Sequence, residues 1–274
     1  MEQNFAISDE KIKDLTKKSL EYSQIISKVI DEAQKNIVGQ NDIIKKIIIS
    51  IISDGHVLLE SVPGLAKTLM IKTMAEIFSV NNVRIQFTPD LLPADILGTK
   101  IYKSNTGTFE IQKGPIFHNF ILADEINRAP PKVQSALLEA MQEKQVSIHG
   151  ETFQLDKPFL VLATQNPIEN EGTYKLPEAQ VDRFALKILI TYPTKNQEIE
   201  IIERNTVNAK IKVNSILPSK ELLEMQKFNA EIYADNVILK YVASIVDATR
   251  NPNTYELDLD NIIEFGASPR ASIW

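Results

Sequence analysis

A lysine and a threonine follow a single glycine soon after a short apolar run, within residues 57–69. Lys67 and Thr68 stand at the start of a predicted helix, and Gly64 gives the preceding turn free backbone geometry. In a strand–turn–helix of this kind, backbone N–H groups point at a bound anion. The lysine reaches the β- and γ-phosphates of a nucleotide, and the threonine hydroxyl ligates Mg²⁺. The stretch therefore predicts a polyphosphate-binding loop.

This loop departs from the pattern G-x-x-x-x-G-K-[ST] at two places. Ser61 and Ala66 stand where the pattern has glycine. Taken alone, the stretch also fits a strand–turn–helix that carries a surface lysine. The predicted cofactor-binding residues of the loop are Pro63, Gly64, Leu65, Ala66, Lys67, Thr68 and Leu69.

A second apolar run, residues 120–125, ends in two carboxylates. Buried strands of parallel sheets present their functional groups at their carboxyl ends. Asp124 is placed to hold the Mg²⁺ shell, and Glu125 is predicted to polarise the attacking water as catalytic base. An acidic pair after a strand can also be a helix cap. The phosphate-binding loop upstream, at a spacing compatible with a neighbouring strand, favours the catalytic interpretation.

Two further places are candidates for contact with the nucleotide. Asn166 follows the apolar run 159–164, where its amide would orient the lytic water or sense phosphate; a structural asparagine in a turn is the alternative. Val38 and Gly39 form a turn just before the phosphate-binding domain and are candidates for bordering the adenine. Plain packing explains most of the isoleucine-rich face of the helix that follows this turn.

Two arginines carry charge that a phosphoryl transfer can use. Arg183 ends a short predicted helix, from which its planar guanidinium would reach a phosphate bound by a neighbouring subunit. A local ion pair of Asp182 with Arg183 is the alternative. Arg270 follows Ser268 and Pro269, where a new helix begins, and is predicted to reach back to the nucleotide across an interdomain cleft.

Composition limits the other possibilities. The chain has 274 residues, a net charge of −6 and no cysteine, so disulfides, thiol catalysis and cysteine zinc sites are excluded. We find no block of basic residues, which disfavours broad binding of nucleic acid. The polar N-terminal stretch does not look like a signal peptide, and the longest apolar run, residues 43–52, is too short to span a bilayer. The chain is predicted to be cytoplasmic.

The order of elements predicts an α/β fold with a parallel sheet sandwiched by helices. We expect an N-terminal helical segment over residues 1–35, a nucleotide-binding domain over 36–193 and a helical domain over 195–274. Two hairpins are predicted within the core, around residues 104–107 and 149–150. The first is either a decorative surface loop or an exposed element that touches a partner or a polypeptide substrate.

Five segments together resemble the MoxR family of AAA+ ATPases. They are residues 62–68, 123–131, 163–167, 176–184 and 266–271, in family order, and the resemblance covers the chain from about residue 37 to its end. It makes Lys67 and Thr68 the end of Walker A, and Asp124 and Glu125 the Walker B pair. Asn166 then resembles sensor 1, and Arg183 and Arg270 resemble the arginine finger and sensor 2.

The resemblance also implies a function. Ala66 is usual in this family, whereas Ser61 departs from the common glycine. The first hairpin resembles the family's helix-2 insert, and the second its pre-sensor-1 hairpin. The family fold is an AAA+ core with a small helical lid, and its lid continues past sensor 2, so this chain is expected to be C-terminally short. Such relatives bind ATP and Mg²⁺, form hexameric rings and remodel protein partners, often with von Willebrand A domain proteins.

Other functional interpretations stay open. The altered loop at Ser61 and the short lid also fit a nucleotide-gated binding module or scaffold with little turnover. A DNA-acting AAA+ protein is disfavoured by the acidic balance and the lack of a basic stripe.

Overall fold

The computed structural model describes residues 9–62, 64–167, 173–206, 211–259 and 262–274. Its helices and strands, in chain order, are α1 (Asp9–Asn36), α2 (Asn41–Ile52), β1 (Val57–Ser61), α3 (Lys67–Phe78), β2 (Asn82–Gln86), α4 (Pro93–Leu97), β3 (Gly98–Lys103), β4 (Thr108–Lys113), β5 (Phe120–Asp124), α5 (Pro131–Glu143), β6 (Gln145–Ile148), β7 (Glu151–Gln154), β8 (Leu160–Gln165), α6 (Glu178–Val181), β9 (Leu186–Ile190), α7 (Lys195–Thr206), α8 (Ser219–Ala230) and α9 (Asn236–Arg250).

A five-stranded sheet lies at the centre, in the order β2-β5-β8-β1-β9. All four neighbouring pairs are parallel. The carboxyl ends of the strands therefore lie at one edge, where open α/β sheets place their ligands. The predicted α/β class with a parallel sheet between helices is confirmed.

Two apolar clusters cover the two faces of this sheet. Because successive side chains of a strand point to opposite faces, Leu59 packs with α1, α2 and α3, whereas Leu58 packs on the side of α4 and α5. Every residue of β5 is buried. The central strands are thus held from both sides, which fixes the position of the residues that end them.

Both predicted hairpins are present and antiparallel, β3 with β4 and β6 with β7. Tyr102 and Phe109 face each other across the first hairpin with ring centroids 5.1 Å apart, and both are more than half exposed. Lys113, at the end of β4, lies over the rings of Phe117 and Phe153, and the latter belongs to β7. The two hairpins therefore touch at their bases.

The helices after β9 do not all stand apart from the core. The Phe228 ring of α8 lies 5.1 Å from the Tyr22 ring of α1, and Gln226 Nε2 donates to the Ile51 carbonyl at 2.6 Å. Leu222 and Met225 join the same cluster as α1–α3. The predicted division at residues 35, 193 and 195 stays a prediction. Among the described residues, no helix has the length and apolar character needed to cross a membrane.

Candidate functional site

The phosphate-binding loop connects β1 to α3 at the carboxyl edge of the sheet. Gly64 has φ +86° with open space where a Cβ would be, and Ala66 has φ +53° immediately before the helix begins at Lys67. These left-handed residues turn the chain so that the first N–H groups of α3 face the end of the strand. Ser61 ends β1, paired with Ile190 of β9, so the serine is accommodated as a strand residue. Pro63 lies outside the described residues.

Other residues of the loop differ in how their side chains are used. The Leu65 side chain is buried in the core on the α3 side, whereas Leu69, in the first turn of α3, is 41% exposed. Thr68 is half-buried. Any contact of Leu65 and Leu69 with a nucleotide is therefore expected through their backbone.

Asp124 lies beside the loop lysine. Its Oδ1 is 3.9 Å from Lys67 Nζ and accepts a hydrogen bond from Thr164 Oγ1 at 2.7 Å. The Asp124 side chain is only 9% exposed. A buried carboxylate with several hydrogen bonds has a defined orientation, which suits a group that positions a cation.

Glu125 follows the strand in an unusual conformation. Its φ of +59° is left-handed, a backbone state that costs a non-glycine residue about 1–2 kcal/mol. The Glu125 N–H donates to Thr164 Oγ1 at 2.9 Å, and its Oε2 accepts from Gln86 Nε2 at 2.8 Å. The Arg128 Nε is 3.2 Å from the same oxygen. The side chain is therefore held at the carboxyl edge, next to Asp124.

Strand β2 contributes two residues that sequence reasoning missed. Arg84 donates from Nε and Nη2 to Asp124 Oδ2, at 2.9 and 2.6 Å. It also donates to Gln86 Oε1, which links the contacts of the two carboxylates. The polar residues alternate with Val83 and Ile85, so the pattern predicts a solvent-facing side of a strand. Only the strand order, with β2 beside β5, brings them to Asp124.

Asn166 follows β8 and is 7% exposed. It lines a cavity of about 310 Å³ together with Asn127, Glu60 and Lys187. Since β8 lies between β5 and β1, Asn166 sits between the carboxylates and the phosphate-binding loop. The structure thus brings Lys67, Asp124, Glu125 and Asn166 to one edge.

Val38 and Gly39 lie in the turn between α1 and α2, near the helix that starts at Lys67. Asn36, just before this turn, donates to Thr73 Oγ1 of α3 at 3.3 Å. On the other side, Gln197 Nε2 of α7 is 3.4 Å from the Gly39 carbonyl oxygen. Gln197 is a third residue that sequence reasoning missed, because it follows the last strand and only folding places it against this turn.

Arg183 and Arg270 lie at the opposite edge of the sheet. Arg270 Nη1 is 3.3 Å from Asp182 Oδ2. Close by in the chain, the Ala185 N–H donates to the His56 carbonyl at 2.8 Å, directly before β1 begins. This is the amino edge, whereas Lys67 stands at the carboxyl edge. The structure therefore does not bring either arginine to the phosphate-binding loop of its own chain. Arg270 pairs with Asp182 in this arrangement, and its predicted contact with the nucleotide of its own chain stays a prediction.

The residues at the carboxyl edge fit a magnesium ion that arrives with a nucleotide. Within the described parts of the chain, no three His, Cys, Asp or Glu residues form a metal-binding group. Mg²⁺ at phosphate sites typically uses one or two protein oxygens and takes the others from phosphates and water. The Thr68 hydroxyl and the Asp124 carboxylate supply oxygens of that kind.

The sheet order and the residues at its carboxyl edge define a P-loop ATPase of the AAA class, and the AAA family, the ATPase family associated with various cellular activities, matches residues 56–186. Protein MoxR of Paracoccus denitrificans is 30% identical over 252 residues, which cover 85% of this chain and 74% of that protein. The chain belongs to the MoxR family of AAA ATPases.

Two other similarities agree with this membership. Chaperone MoxR1 of Mycobacterium tuberculosis is 49% identical over 249 residues, which cover 90% of this chain and 66% of that protein. The chain thus spans just under two thirds of the length of that relative. A crystal structure from Cytophaga hutchinsonii superposes with a TM-score of 0.87 at 51% identity, over 96% of this chain and 80% of that one.

Proposed function

We propose that this chain binds Mg²⁺–ATP at the carboxyl edge of its sheet and hydrolyses it. The observation that carries the proposal is the convergence of Lys67, at the start of α3, with Asp124 and Glu125, at the end of β5; Lys67 Nζ lies 3.9 Å from Asp124 Oδ1. Lys67 binds the β- and γ-phosphates, and Thr68 and Asp124 hold the cation. The bound cation would supply positive charge that offsets the charge developing on the phosphates.

Glu125 is the proposed catalytic base, because its carboxylate lies one residue beyond Asp124 at the same edge. Asn166 would orient the attacking water from the neighbouring strand. Val38 and Gly39 would border the adenine, with Gln197 on the facing side. Pro63, Gly64, Leu65, Ala66 and Leu69 would contact the nucleotide through the loop backbone.

We further propose that hydrolysis needs a neighbouring subunit in a ring, which the family resemblance makes hexameric. Transfer of a phosphoryl group is accelerated by positive charge near the γ-phosphate. Arg183 lies near the amino edge, away from its own Lys67, which supports a role at the next subunit's nucleotide, whereas Arg270 is proposed to contact the nucleotide of its own chain. The Arg183 Nε is buried and has no hydrogen-bond partner among the described residues.

We propose that the energy of ATP hydrolysis is used to remodel protein partners. One relative is called Chaperone MoxR1, and the β3–β4 hairpin exposes the rings of Tyr102 and Phe109 where a polypeptide can reach them. Partners with von Willebrand A domains remain a proposal from the family resemblance, and a cytoplasmic location remains a prediction. The second candidate, a nucleotide-gated scaffold with little turnover, is favoured by the buried Ser61 hydroxyl, which lacks a hydrogen-bond partner in the described part of the chain.

Two variants test the chemistry. Lys67→Ala should lose ATP binding, and Glu125→Gln should bind ATP while phosphate release falls by about 10²-fold or more, the usual contribution of a catalytic base. Lys132→Ala and Glu139→Gln, which change the same residue types at exposed positions of α5, should behave like wild type. Sedimentation with and without ATP measures assembly in the same samples.

The two candidate functions give different results in these assays. Turnover in wild type that is lost in Glu125→Gln supports the ATPase. ATP binding and assembly with negligible wild-type turnover supports the scaffold. Turnover at the wild-type rate in either Lys67→Ala or Glu125→Gln contradicts the assigned chemistry.

A further inference from the structure

The Asp124 carboxylate faces two cations, although it carries a single charge. Arg84 donates twice to Oδ2, at 2.9 and 2.6 Å, and Lys67 Nζ lies 3.9 Å from Oδ1. Thr164 Oγ1 donates a hydrogen bond of 2.7 Å to Asp124 Oδ1. Both oxygens of the proposed metal-binding carboxylate therefore already have donors, and the shorter charged contacts come from Arg84.

The position of Arg84 allows its side chain to move away from Asp124, because Arg84 is much more exposed than the carboxylate it contacts. Its side chain is 48% exposed, whereas that of Asp124 is 9% exposed. Arg84 stands on β2 at the margin of the sheet, where its guanidinium can move into solvent without disturbing the core. Its second contact, with Gln86 Oε1, also lies on the exposed side. On leaving Asp124, the Arg84 guanidinium would lose two hydrogen bonds and gain contacts with water, which offset part of that cost.

A divalent cation and Arg84 cannot both keep close contact with this carboxylate. Like charges repel, and a cation at Asp124 would stand within a few ångströms of a guanidinium that donates to the same group. Lys67 differs, because the phosphates of a bound nucleotide neutralise it. The competition for Asp124 is therefore between Arg84 and the metal.

We propose that Arg84 is the resident counter-ion of Asp124 and sets the affinity of the site for Mg²⁺ by competing with it. Arg84 is a positioning residue. It keeps the Asp124 carboxylate oriented and compensates its negative charge until a cation arrives with the nucleotide phosphates. This inference rests on the proposed function, because it assumes that Asp124 faces the cation of Mg²⁺–ATP.

The experiment measures binding and not turnover. A fluorescent ATP analogue is titrated first in EDTA and then with Mg²⁺ at a fixed analogue concentration. The variants are Arg84→Met, Arg84→Lys and the control Lys100→Met, which removes one positive charge from an exposed position of the β3–β4 hairpin. Lysine keeps the charge at position 84 but cannot donate as a planar fork.

The two readouts of Arg84→Met should move in opposite directions. The Mg²⁺ concentration for half-saturation should fall about tenfold, the scale of losing one charge-assisted pair. Metal-free affinity for the analogue should fall, because Asp124 is left uncompensated beside the phosphates. Arg84→Lys should shift both readouts in the same directions but less, and Lys100→Met should shift neither. A purely structural role for Arg84 would weaken both readouts together.

Several outcomes would overturn the inference. An unchanged or raised Mg²⁺ requirement in Arg84→Met would overturn it. An equal shift in Lys100→Met would also overturn it, because the effect would then come from the net charge of the chain and not from Arg84. If Arg84→Met fails to fold, an unchanged Mg²⁺ requirement in Arg84→Lys overturns the inference. If the wild-type chain binds no analogue under any condition, the proposed function fails and this inference fails with it.

Discussion

Arg270 Nη1 lies 3.3 Å from Asp182 Oδ2, so the arginine near the end of the chain is held beside the residue that precedes Arg183. This pair brings two arginines, far apart in sequence, to the amino edge of the sheet. Asp182 pairs with Arg270, and Arg183 is the next residue in the chain after Asp182. Asp182 therefore stands between the two arginines that were predicted to contact a nucleotide, pairing with Arg270 and preceding Arg183 in the chain.

We expect Arg183 to act on the nucleotide of a neighbouring subunit. Arg183→Ala should keep ATP binding and lose about 10³-fold or more of the ATPase rate, as the loss of an arginine finger does. Mixing Arg183→Ala with Lys67→Ala should restore part of the activity. In mixed assemblies, the intact Arg183 of the Lys67→Ala subunits completes the intact sites of the other variant.

The control for this experiment is a mixture of Lys67→Ala with Glu125→Gln. Each of these variants lacks part of its own chemistry at the carboxyl edge, so no neighbour can complete the site. Assembly without any recovery in the Arg183→Ala mixture would assign Arg183 to its own chain. Arg270→Ala mixed with Lys67→Ala gives the same test for the second arginine.

We expect His56 to make the stability of the fold sensitive to acid. Its ring is buried, Nδ1 accepts from the Val161 N–H at 3.0 Å, and Nε2 lies 3.3 Å from both the Met141 carbonyl oxygen and Lys144 Nζ. Burial, and then the Lys144 charge, lower the pKa of His56 from 6.5 to about 3, against the opposing effect of the Met141 carbonyl. The folded chain therefore keeps this histidine neutral where the unfolded chain protonates it.

The direction of the pH dependence follows from this difference. The free energy of unfolding is unaffected by His56 above the pKa of this histidine in the unfolded chain, about 6.5. As pH falls from about 6.5 towards 3, the free energy of unfolding decreases by at most about 1.4 kcal/mol per pH unit. Urea unfolding between pH 7 and pH 4.5 should show a shallower loss for His56→Gln than for wild type. His149→Asn, at an exposed turn, should keep the wild-type slope; an unchanged slope in His56→Gln would contradict the assignment.

Glu32 joins α1 to the segment before α8. Its Oε1 accepts from the Asn214 backbone N–H at 2.8 Å and from Asn214 Nδ2 at 3.1 Å, and its Oε2 is 2.6 Å from Lys35 Nζ. Glu32→Ala should lower the free energy of unfolding by about 1–3 kcal/mol, because the Asn214 N–H loses its partner. Glu32→Gln should cost less, since an acceptor remains. Glu21→Ala, exposed on the same helix, serves as control in urea unfolding.

Acid should reduce the contribution of Glu32. The hydrogen bond from Lys35, and then that from the Asn214 N–H, hold the pKa of Glu32 below 4.5, against burial, which raises it. The stabilisation is present above the unfolded pKa and is lost as pH falls through the lower folded pKa. The difference in unfolding free energy between wild type and Glu32→Gln should therefore narrow in acid. A constant difference would show that charge has no part in it.

Gly39 is expected to be intolerant of any side chain. Its φ is +72°, and a Cβ there would lie 2.3 Å from Gln197 Cδ. Gly39→Ala should lower the free energy of unfolding by about 1–2 kcal/mol for the left-handed backbone alone. It should also weaken ATP binding, because Gln197 must move from the proposed adenine-binding turn.

Two further variants separate these effects. Gly39→Ala combined with Gln197→Ala relieves the steric part and leaves the backbone cost, measured by urea unfolding. Gly150→Ala, with φ +86° and open space around the added Cβ, is the matched control for backbone cost without a clash. Equal destabilisation by Gly39→Ala and Gly150→Ala would refute the steric role of Gln197.

The sequence by itself determined the local chemistry at the strand ends. The run of buried residues ending in Asp124 and Glu125, and the turn that leads to Lys67 and Thr68, are properties of short segments. Alternation of side chains and glycine geometry operate over a few residues, so such patterns can be interpreted without knowing the fold. The parallel sheet followed from the same order of strands and helices, and it is present.

Only the tertiary structure decided which distant residues share an edge with these motifs. Arg84 and Gln86 reach the carboxylates because β2 pairs with β5 and not with β1. Gln197 meets Gly39 because α7 folds back onto the turn after α1, and Arg270 pairs with Asp182 because the last described segment of the chain returns to the amino edge of the sheet. Contacts of this kind depend on strand order and on long-range packing, which local patterns of residues do not encode.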